Sequence, residues 1–272
     1  MPHVPSVSLN QGGAIPQLGF GVWQVADDEA GEVVGTALRA GYRLIDTAMI
    51  YRNEAGVGAA IAQSGIEREA LFVTTKLWND DQGYDATLRA FDASLARLKL
   101  DFVDLYLIHW PQPRRDHYLD SWRAMQKLHE EGRARAIGVS NFKIPHLQRL
   151  LAECGIVPAV NQIELHPALP QYDMAAFHQA HGIVTEAYSP LGRGALDNPA
   201  LQRLVDKHAR TPAQVVLRWH MQRGIVAIPK SSTAARIAAN LDVFGFSLDE
   251  ADMAAMATLD TGVRLLPDPD DF

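Results

Sequence analysis

The sequence predicts a single α/β domain folded as a (β/α)8 TIM barrel. The chain has 272 residues, slightly more than the roughly 250 typical of such barrels. Short apolar segments of strand length alternate along it with helical segments, and eight such units can be counted. Near-continuous apolar strands alternating with helices favour a parallel sheet buried on both faces, and the count of eight favours closure into a barrel.

No linker divides the chain. Glycine and proline are scattered singly, and there is neither a low-complexity tract nor a block of like charges. Hydrophobic residues make up 47% of the sequence, enough for a sizeable core. Residues 1–272 are therefore predicted to form one domain.

A small β-hairpin is predicted before the barrel. The segment SVSLNQGGAIPQL carries a Gly-Gly pair between two apolar runs, which is typical of a hairpin turn. The barrel strands are predicted at residues 19–23, 43–48, 71–77, 103–110, 136–142, 159–165, 183–190 and 225–230.

Helical segments separate these strands. DATLRAFDASLARL repeats apolar residues at three-to-four spacing, and TPAQVVLRWHMQRG begins with Thr-Pro and ends on Gly224, as helices often do. Two extra helices are predicted at residues 197–208 and in SLDEADMAAMATLD, followed by a C-terminal loop, TGVRLLPDPDDF.

Composition excludes several classes of function. A net charge of −7 without a clustered basic stripe argues against a nucleic-acid or anionic-membrane surface. The longest apolar runs are far below the ~20 residues that span a bilayer. The opening MPHVPSVSLNQGG lacks a basic segment followed by an apolar stretch, so no export is expected.

The histidines and the cysteine suggest no metal or disulfide chemistry. Cys154 is the single cysteine; it cannot form an internal disulfide, and we interpret it as a small buried hydrophobe. A reducing compartment fits this composition, and a cytoplasmic location is expected. No histidine spacing is typical of metal ligands, so no metal is predicted.

Four polar residues lie at or just beyond the ends of predicted strands: Asp46, Tyr51, Lys76 and His109. The C-terminal ends of parallel barrel strands converge on one face, where these residues can meet. A nearby ammonium favours the charged form of a tyrosine, and a carboxylate can hold that ammonium in place. The group therefore predicts a proton-donating site. Taken singly, the same residues also fit a structural ion pair, a rim tyrosine and a core histidine.

A second group of polar residues closes strands five to eight and suits a large polar ligand. Amides can bracket another amide, an aromatic ring can stack, and lysine and hydroxyl groups bind phosphates. These residues, which predict a nucleotide cradle, are Ser140, Asn141, Gln162, Tyr188, Ser189, Lys230 and Ser231. Aromatic residues that end or follow strands, and that fit either a substrate mouth or ordinary packing, are Trp23, Trp78 and Trp110.

Over essentially its whole length the chain resembles the aldo-keto reductases, and more narrowly the bacterial 2,5-diketo-D-gluconate reductase branch. The resemblance is carried by GYRLIDTAMIYRNEAGVGAAI, LFVTTKLWND, VDLYLIHWP, AIGVSNF, VPAVNQIELHP, EAYSPLGRG, TPAQVVLRWHMQRG and IPKSSTAARIAANLDVF. It implies a monomer with a C-terminal loop folded over the active site. It also implies reduction of aldehydes, dicarbonyls or keto-sugar acids by NADPH.

The resemblance implies that Asp46, Tyr51, Lys76 and His109 form a catalytic tetrad in which each residue has a role. Tyr51 protonates the developing alkoxide, Lys76 held by Asp46 stabilises the tyrosinate, and His109 orients the carbonyl oxygen. Relatives that reduce carbon–carbon double bonds of steroids carry Glu at the position of His109, so histidine favours carbonyl reduction. Trp23, Trp78, His109 and Trp110 are the implied substrate contacts.

The cofactor contacts are likewise implied by the resemblance. Ser140, Asn141 and Gln162 bind the nicotinamide carboxamide, and Tyr188 stacks on the ring. Ser189, Leu191 and Gly192 lie along the pyrophosphate, whereas Lys230, Ser231 and Arg236 hold the 2′-phosphate. Asn240 reaches the adenine, and Ala239 replaces a glutamate that contacts adenine in many relatives.

Three other classes of function differ in how well the sequence fits them. A metal-dependent sugar isomerase would need several inward carboxylates and histidines at the strand ends, where strands five to eight are expected to offer amides, hydroxyls and a lysine instead. A serine hydrolase needs a glycine two residues after its nucleophile, which GVSNF does not supply. An NADPH-binding redox-sensing or regulatory subunit with slow turnover stays open as the alternative.

Overall fold

The chain begins with an antiparallel hairpin of two strands, β1 (Ser6–Ser8) and β2 (Ala14–Pro16). In the computed structural model, which describes residues 4–194 and 196–272, Gly12 and Gly13 turn this hairpin with φ of 94° and 72°. Glycine adopts such left-handed angles without steric cost, which confirms the hairpin predicted from the Gly-Gly pair. The Gln11 side chain donates to the backbone oxygens of Ile137 and Val157, which ties the hairpin to the barrel.

Eight parallel strands follow, and each pairs with the next along the chain. Their bounds are β3 (Phe20–Gly21), β4 (Leu44–Asp46), β5 (Phe72–Leu77), β6 (Val103–Ile108), β7 (Ala134–Ser140), β8 (Val160–Glu164), β9 (Val184–Tyr188) and β10 (Val226–Ala227). The amide of Ala227 donates to Gln17 O at 3.0 Å, and the amide of Gly19 donates to Ala227 O at 2.9 Å. The sheet therefore curls until β10 is hydrogen-bonded to the chain beside β3. Every predicted strand overlaps an observed one.

Ten α-helices lie in the described residues and alternate with the strands. They are α1 (Asp27–Ala40), α2 (Glu54–Gln63), α3 (Tyr84–Leu98), α4 (Tyr118–Glu130), α5 (Ile144–Cys154), α6 (Tyr172–Ala180), α7 (Pro199–His208), α8 (Pro212–Gln222), α9 (Ala234–Leu241) and α10 (Glu250–Ala257). The helices α7 and α10 are the two extra ones that the sequence predicts. Within the described part of the chain, no helix combines the length and the apolar character needed to cross a bilayer.

Local sequence signals set the ends of α8. The Thr211 hydroxyl accepts the amide N–H of Gln214 at 3.2 Å, and the Gln214 side chain accepts the amide N–H of Thr211 at 2.9 Å. This reciprocal pair satisfies two amides that a helix leaves without partners at its start. Beyond the helix, Gly224 takes a φ of 69°, as the sequence suggests.

The core has two apolar layers because successive side chains of a strand point to opposite faces. Alternate residues such as Leu44, Leu105, Leu107 and Val160 form a cluster inside the barrel. Their strand neighbours, including Tyr106, pack outward against the helices. The same alternation directs polar residues two positions further along several strands into the barrel, above this apolar interior.

Candidate active site

A buried ion pair lies at the centre of the site. The Lys76 ammonium donates to Asp46 Oδ1 at 2.6 Å and to Thr47 O at 2.9 Å, and the lysine side chain is fully buried. Asp46 is the last residue of β4 and Lys76 is the penultimate residue of β5, so neighbouring strands bring them together. The structure therefore brings Asp46 and Lys76 together, as the sequence predicts.

Tyr51 and His109 complete the predicted tetrad. Tyr51 ends a short 3-10 turn, Met49–Tyr51, after β4, and His109 directly follows β6. The Lys76 ammonium is 5.2 Å from the centroid of the Tyr51 ring, whose centroid lies 5.7 Å from that of His109. The four side chains therefore form one cluster at the C-terminal end of the strands.

Burial controls the protonation of this cluster. Burial raises the pKa of Tyr51 above its usual value, although the Lys76 charge opposes this. Burial and the Lys76 charge lower the pKa of His109 well below its usual value. Burial lowers the pKa of Lys76, but Asp46, Tyr51 and Glu186 together more than offset it, so the net shift is upward. At neutral pH the site holds a protonated tyrosine, a neutral imidazole and an ammonium.

The net shift of the Tyr51 pKa is opposite to the one expected from the sequence. Lys76 acts on Tyr51 in the predicted direction, because a positive charge favours tyrosinate. Removal of the phenol from water has the larger effect, and its direction is opposite. Tyr51 therefore keeps its proton at neutral pH.

A cavity of about 450 Å³ opens above the tetrad. Its wall contains nine of the predicted site residues besides Asp46 and Tyr51: Trp23, Trp78, His109, Trp110, Asn141, Gln162, Tyr188, Ser189 and Lys230. The C-terminal segment adds Leu266, Pro267 and Phe272, and the Phe272 ring lies 4.3 Å from that of Trp110. This segment thus forms part of the cavity wall.

The amides in the wall belong to a hydrogen-bonded network. Asn141 Nδ2 donates to His109 O at 3.0 Å and to Ser140 Oγ at 3.1 Å, while Asn141 Oδ1 accepts the Tyr188 hydroxyl at 2.7 Å. Ser140 Oγ donates to Gln162 O at 2.8 Å. Ser140 is buried behind the wall and orients Asn141, so its direct contact with a nicotinamide stays a prediction.

Glu186 on β9 is a buried carboxyl that sequence reasoning missed. Gln162 Nε2 donates to Asp46 Oδ2 at 2.8 Å and to Glu186 Oε2 at 3.0 Å, and so bridges the two carboxyl groups. Burial and the nearby Asp46 carboxylate raise the pKa of Glu186 to about 8. A glutamate within an otherwise uncharged strand is the sequence signal that points to it.

A second cavity, of about 750 Å³, continues from the first. Trp23, Ser189 and Lys230 line both cavities. The predicted residues Leu191, Ser231, Arg236 and Asn240 line the second one, beside Ala239. Among residues 4–194 and 196–272, neither Lys230 nor Arg236 forms an ion pair with an acidic side chain. The long groove with two free cations fits an extended anionic ligand.

Gly192 is placed differently from the other predicted cofactor residues. It is absent from the walls of both cavities, and its amide N–H donates to Ser189 O at 2.9 Å. This bond closes the turn that follows β9. A contact between Gly192 and a pyrophosphate stays a prediction.

The C-terminal segment is anchored by a second carboxylate that the sequence did not reveal. Glu164, at the end of β8, accepts the amide N–H groups of Leu265 at 2.6 Å and Leu266 at 3.0 Å. The side chains of His166 and Arg264 lie 3.0 Å and 3.8 Å from the same carboxylate. Arg264 is therefore paired with Glu164 and faces a different cavity.

Comparison with known proteins places this geometry in context. The model of the Aldo/keto reductase family matches residues 17–261. An aldo-keto reductase of Mycolicibacterium smegmatis is 54% identical over 269 residues, covering 98% of both chains. Methylglyoxal reductase DkgA of Yersinia pestis is 51% identical over 275 residues, covering 100% of this chain and 99% of the relative. The crystal structure of a Gox0644 mutant in complex with NADPH superposes on this chain with a TM-score of 0.94, and the two sequences are 47% identical, with 98% of each chain covered.

Proposed function

This chain belongs to the aldo/keto reductase family and is an NADPH-dependent oxidoreductase, and we propose that it reduces small aldehydes and dicarbonyls, with Tyr51 as the proton donor. The observation that carries the proposal is the position of Tyr51 in the cavity wall, with the Lys76 ammonium 5.2 Å from its ring centroid and the His109 ring centroid at 5.7 Å; burial raises the pKa of Tyr51, so it holds its proton at neutral pH. A general acid must hold its proton at the working pH and lie beside the reacting oxygen. Tyr51 meets the first condition, and its position in the cavity wall supports the second.

The residues along the groove fit the cofactor. Lys230 and Arg236 have no acidic partners in the described part of the chain and would hold the 2′-phosphate by charge-assisted hydrogen bonds. Gln162 uses its amide hydrogens on two carboxyl groups, which leaves its carbonyl oxygen to accept from the nicotinamide carboxamide. Tyr188, fixed by Asn141, would stack on the ring.

Side chains of this protein donate the proton and stabilise the charge that its loss leaves. When bound, NADPH supplies the hydride that adds to the carbonyl carbon. The Tyr51 hydroxyl donates its proton to the carbonyl oxygen, so that a new O–H bond forms as the phenolic one breaks. Lys76, held by Asp46, stabilises the resulting tyrosinate, and neutral His109 orients the carbonyl oxygen through a hydrogen bond.

The substrate class follows from the shape and polarity of the cavity. Its wall is mainly aromatic and apolar, with Trp78, Trp110 and Phe272 near the tetrad. Arg264 and the amides of Leu265 and Leu266 are already bound to Glu164, so they are not free to bind a substrate carboxylate. These features favour uncharged aldehydes and dicarbonyls such as methylglyoxal over keto-sugar acids, which we place second.

The substitution Tyr51→Phe tests the proposal. It removes the proton donor and keeps the ring, so kcat for methylglyoxal is expected to fall by about 10²- to 10⁴-fold while NADPH affinity stays within about twofold. Turnover is measured by NADPH absorbance, and binding by fluorescence quenching. Tyr84→Phe, on the exposed side of α3, is the matched control and should retain parental kcat.

Two results would contradict the proposal. A loss of kcat smaller than about tenfold in Tyr51→Phe would show that another group donates the proton. A parent protein that binds NADPH but reduces neither aldehydes nor dicarbonyls would favour the alternative of a redox-sensing or regulatory subunit.

A further inference from the structure

Glu186 occupies an unusual place for a carboxyl group. It lies on β9 with no exposed surface, between Gln162 of β8 and Val226 of β10 in the sheet register. The alternation along β9 directs it into the barrel, as it does Val184 two residues before. Burial of a carboxyl group is costly unless its oxygens find partners, so its surroundings decide what it does.

The hydrogen bonds of Glu186 lead to the tetrad. Gln162 Nε2 donates one hydrogen to Glu186 Oε2 at 3.0 Å and the other to Asp46 Oδ2 at 2.8 Å, and Asp46 Oδ1 holds Lys76 at 2.6 Å. A path of three hydrogen bonds, through Gln162 and Asp46, thus joins Glu186 to the Lys76 ammonium beside Tyr51. The other oxygen of Glu186, Oε1, is buried without a hydrogen-bond partner in the described residues.

Three titratable groups face Glu186 from the surrounding elements. Asp46 comes from β4, Lys76 from β5, and Tyr51 from the turn after β4, whereas Gln162 and Val226 on the two adjacent strands are uncharged. The ionised carboxylate of Glu186 raises the pKa of both Tyr51 and Lys76. A charge on Glu186 therefore helps Tyr51 to retain its proton.

On the basis of the proposed reductase function, we propose that Glu186 is a positioning residue, linked to Asp46 through Gln162, whose charge sets the alkaline limit of proton donation by Tyr51. The neutral carboxyl ionises as the solution becomes alkaline, because burial beside Asp46 delays its ionisation. The new negative charge then opposes loss of the Tyr51 proton. Reduction is thereby sustained to higher pH than Lys76 and Asp46 alone would permit.

The pH dependence of kcat for methylglyoxal with saturating NADPH tests this role. In Glu186→Gln the negative charge is missing, so the Tyr51 pKa falls and the alkaline loss of kcat is expected about 0.5 pH unit or more below that of the parent. Glu186→Asp keeps the charge and should restore the parental limit. Asp104→Asn, a buried carboxylate paired with Arg68 and Arg135, is the control and should leave the limit unchanged.

A titration without turnover separates this inference from the proposed function. The ultraviolet difference between each protein and its Tyr51→Phe derivative reports ionisation of Tyr51, and Glu186→Gln should shift it to lower pH. Coincident curves for parent and Glu186→Gln, or equal shifts in Glu186→Gln and Glu186→Asp, would overturn the role of Glu186. If the parent protein shows no turnover, the proposed reductase function is refuted, and the titration of Tyr51 still tests the role of Glu186.

The parent protein gives a further check if Glu186→Gln does not fold. A buried neutral carboxyl shows an infrared C=O band, which is expected at pH 6 and should be lost by about pH 9. Absence of the band at pH 6 would mean that Glu186 is already ionised, and the proposed alkaline transition would be excluded.

Discussion

Single residues determine the chemistry of the site through buried charge. Lys76 has no exposed surface, and its positive charge is balanced by Asp46 at 2.6 Å. Removing one member of such a pair leaves an uncompensated charge, whereas removing both leaves only a packing defect. The pair therefore contributes to folding as well as to the acidity of Tyr51.

Lys76→Met is expected to lower the free energy of unfolding by about 3 to 5 kcal/mol, because Asp46 is then buried without its counter-charge. The double variant Asp46→Asn/Lys76→Met should be more stable than Lys76→Met alone. Urea unfolding followed by circular dichroism measures both differences. If the loss of unfolding free energy in the double variant equals the sum of the losses in Asp46→Asn and Lys76→Met, the two residues are not coupled.

At the scale of secondary-structure elements, short segments between strands and helices place the functional groups. The turn Met49–Tyr51 carries Tyr51 back over β4, and the segment between β10 and α9 presents Lys230 and Ser231. Arg236 extends from the first turns of α9 into the same cavity. The strands supply a rigid frame, and these connections supply specificity.

Lys230, in the segment before α9, and Arg236, within α9, predict the choice of cofactor. Lys230 and Arg236 are expected to favour NADPH over NADH by at least about tenfold in kcat/KM, since a charge-assisted hydrogen bond is worth roughly 1.5 to 3 kcal/mol. Lys230→Met/Arg236→Gln should abolish that preference mainly by raising KM for NADPH. Arg123→Gln/Lys127→Met, on the exposed face of α4, is the charge-matched control. Equal use of both cofactors by the parent would rule out the clamp.

The contact between β8 and the C-terminal segment predicts a change in dynamics. Burial alone raises the pKa of Glu164, but hydrogen bonds from His166 and from the amides of Leu265 and Leu266 outweigh it and lower the pKa. Glu164→Gln weakens those charge-assisted bonds, so amide exchange of Leu265 and Leu266 should accelerate by about tenfold or more.

Hydrogen exchange followed by mass spectrometry or NMR measures this effect. Glu153→Gln, which alters an exposed carboxylate paired with Arg149 on α5, is the control and should leave exchange of the C-terminal segment unchanged. Unaltered exchange in Glu164→Gln would show that other contacts, such as those of Lys143 with Asp268 and Asp270, hold the segment by themselves.

At the scale of the whole molecule, we expect cavity shape to outweigh overall charge in the choice of substrate. The net charge of −7 disfavours anions at long range, but salt screens it over roughly 8 to 10 Å. The aromatic wall and the C-terminal segment restrict the cavity above the tetrad to about 450 Å³. Small neutral carbonyl compounds fit the volume of this cavity and are not repelled by the negative charge of the protein.

We therefore expect kcat/KM to rank methylglyoxal and a simple benzaldehyde above 2,5-diketogluconate, with a ketosteroid last. Steady-state rates with one batch of enzyme and saturating NADPH give this ranking directly. A ketosteroid in first place would refute the argument from cavity shape. First place for 2,5-diketogluconate would instead reveal a carboxylate-binding group that the paired Arg264 does not supply.

Much of the fold could be predicted because its signals are local. Strand-length apolar runs, the Gly-Gly turn and the Thr-Pro start of α8 act within a few residues, and each produced the expected element. The observed strands are mostly shorter than predicted; β10, for example, covers only Val226–Ala227 of the predicted 225–230. An apolar pattern indicates where a strand is buried, whereas its hydrogen-bonded length depends on the neighbouring strand.

The sequence by itself determined the eight alternating units, the positions of Asp46, Lys76 and His109 at or next to strand ends, and the position of Tyr51 just beyond one. The common direction of parallel strands then brings these ends together on one face. Only the tertiary structure decided how those residues are protonated and supported. Asp46 and Gln162 are 116 positions apart, yet their hydrogen bond brings Glu186 into the site. Burial, which reverses the net pKa shift expected for Tyr51, is likewise a property of the closed assembly of strands and not of any segment.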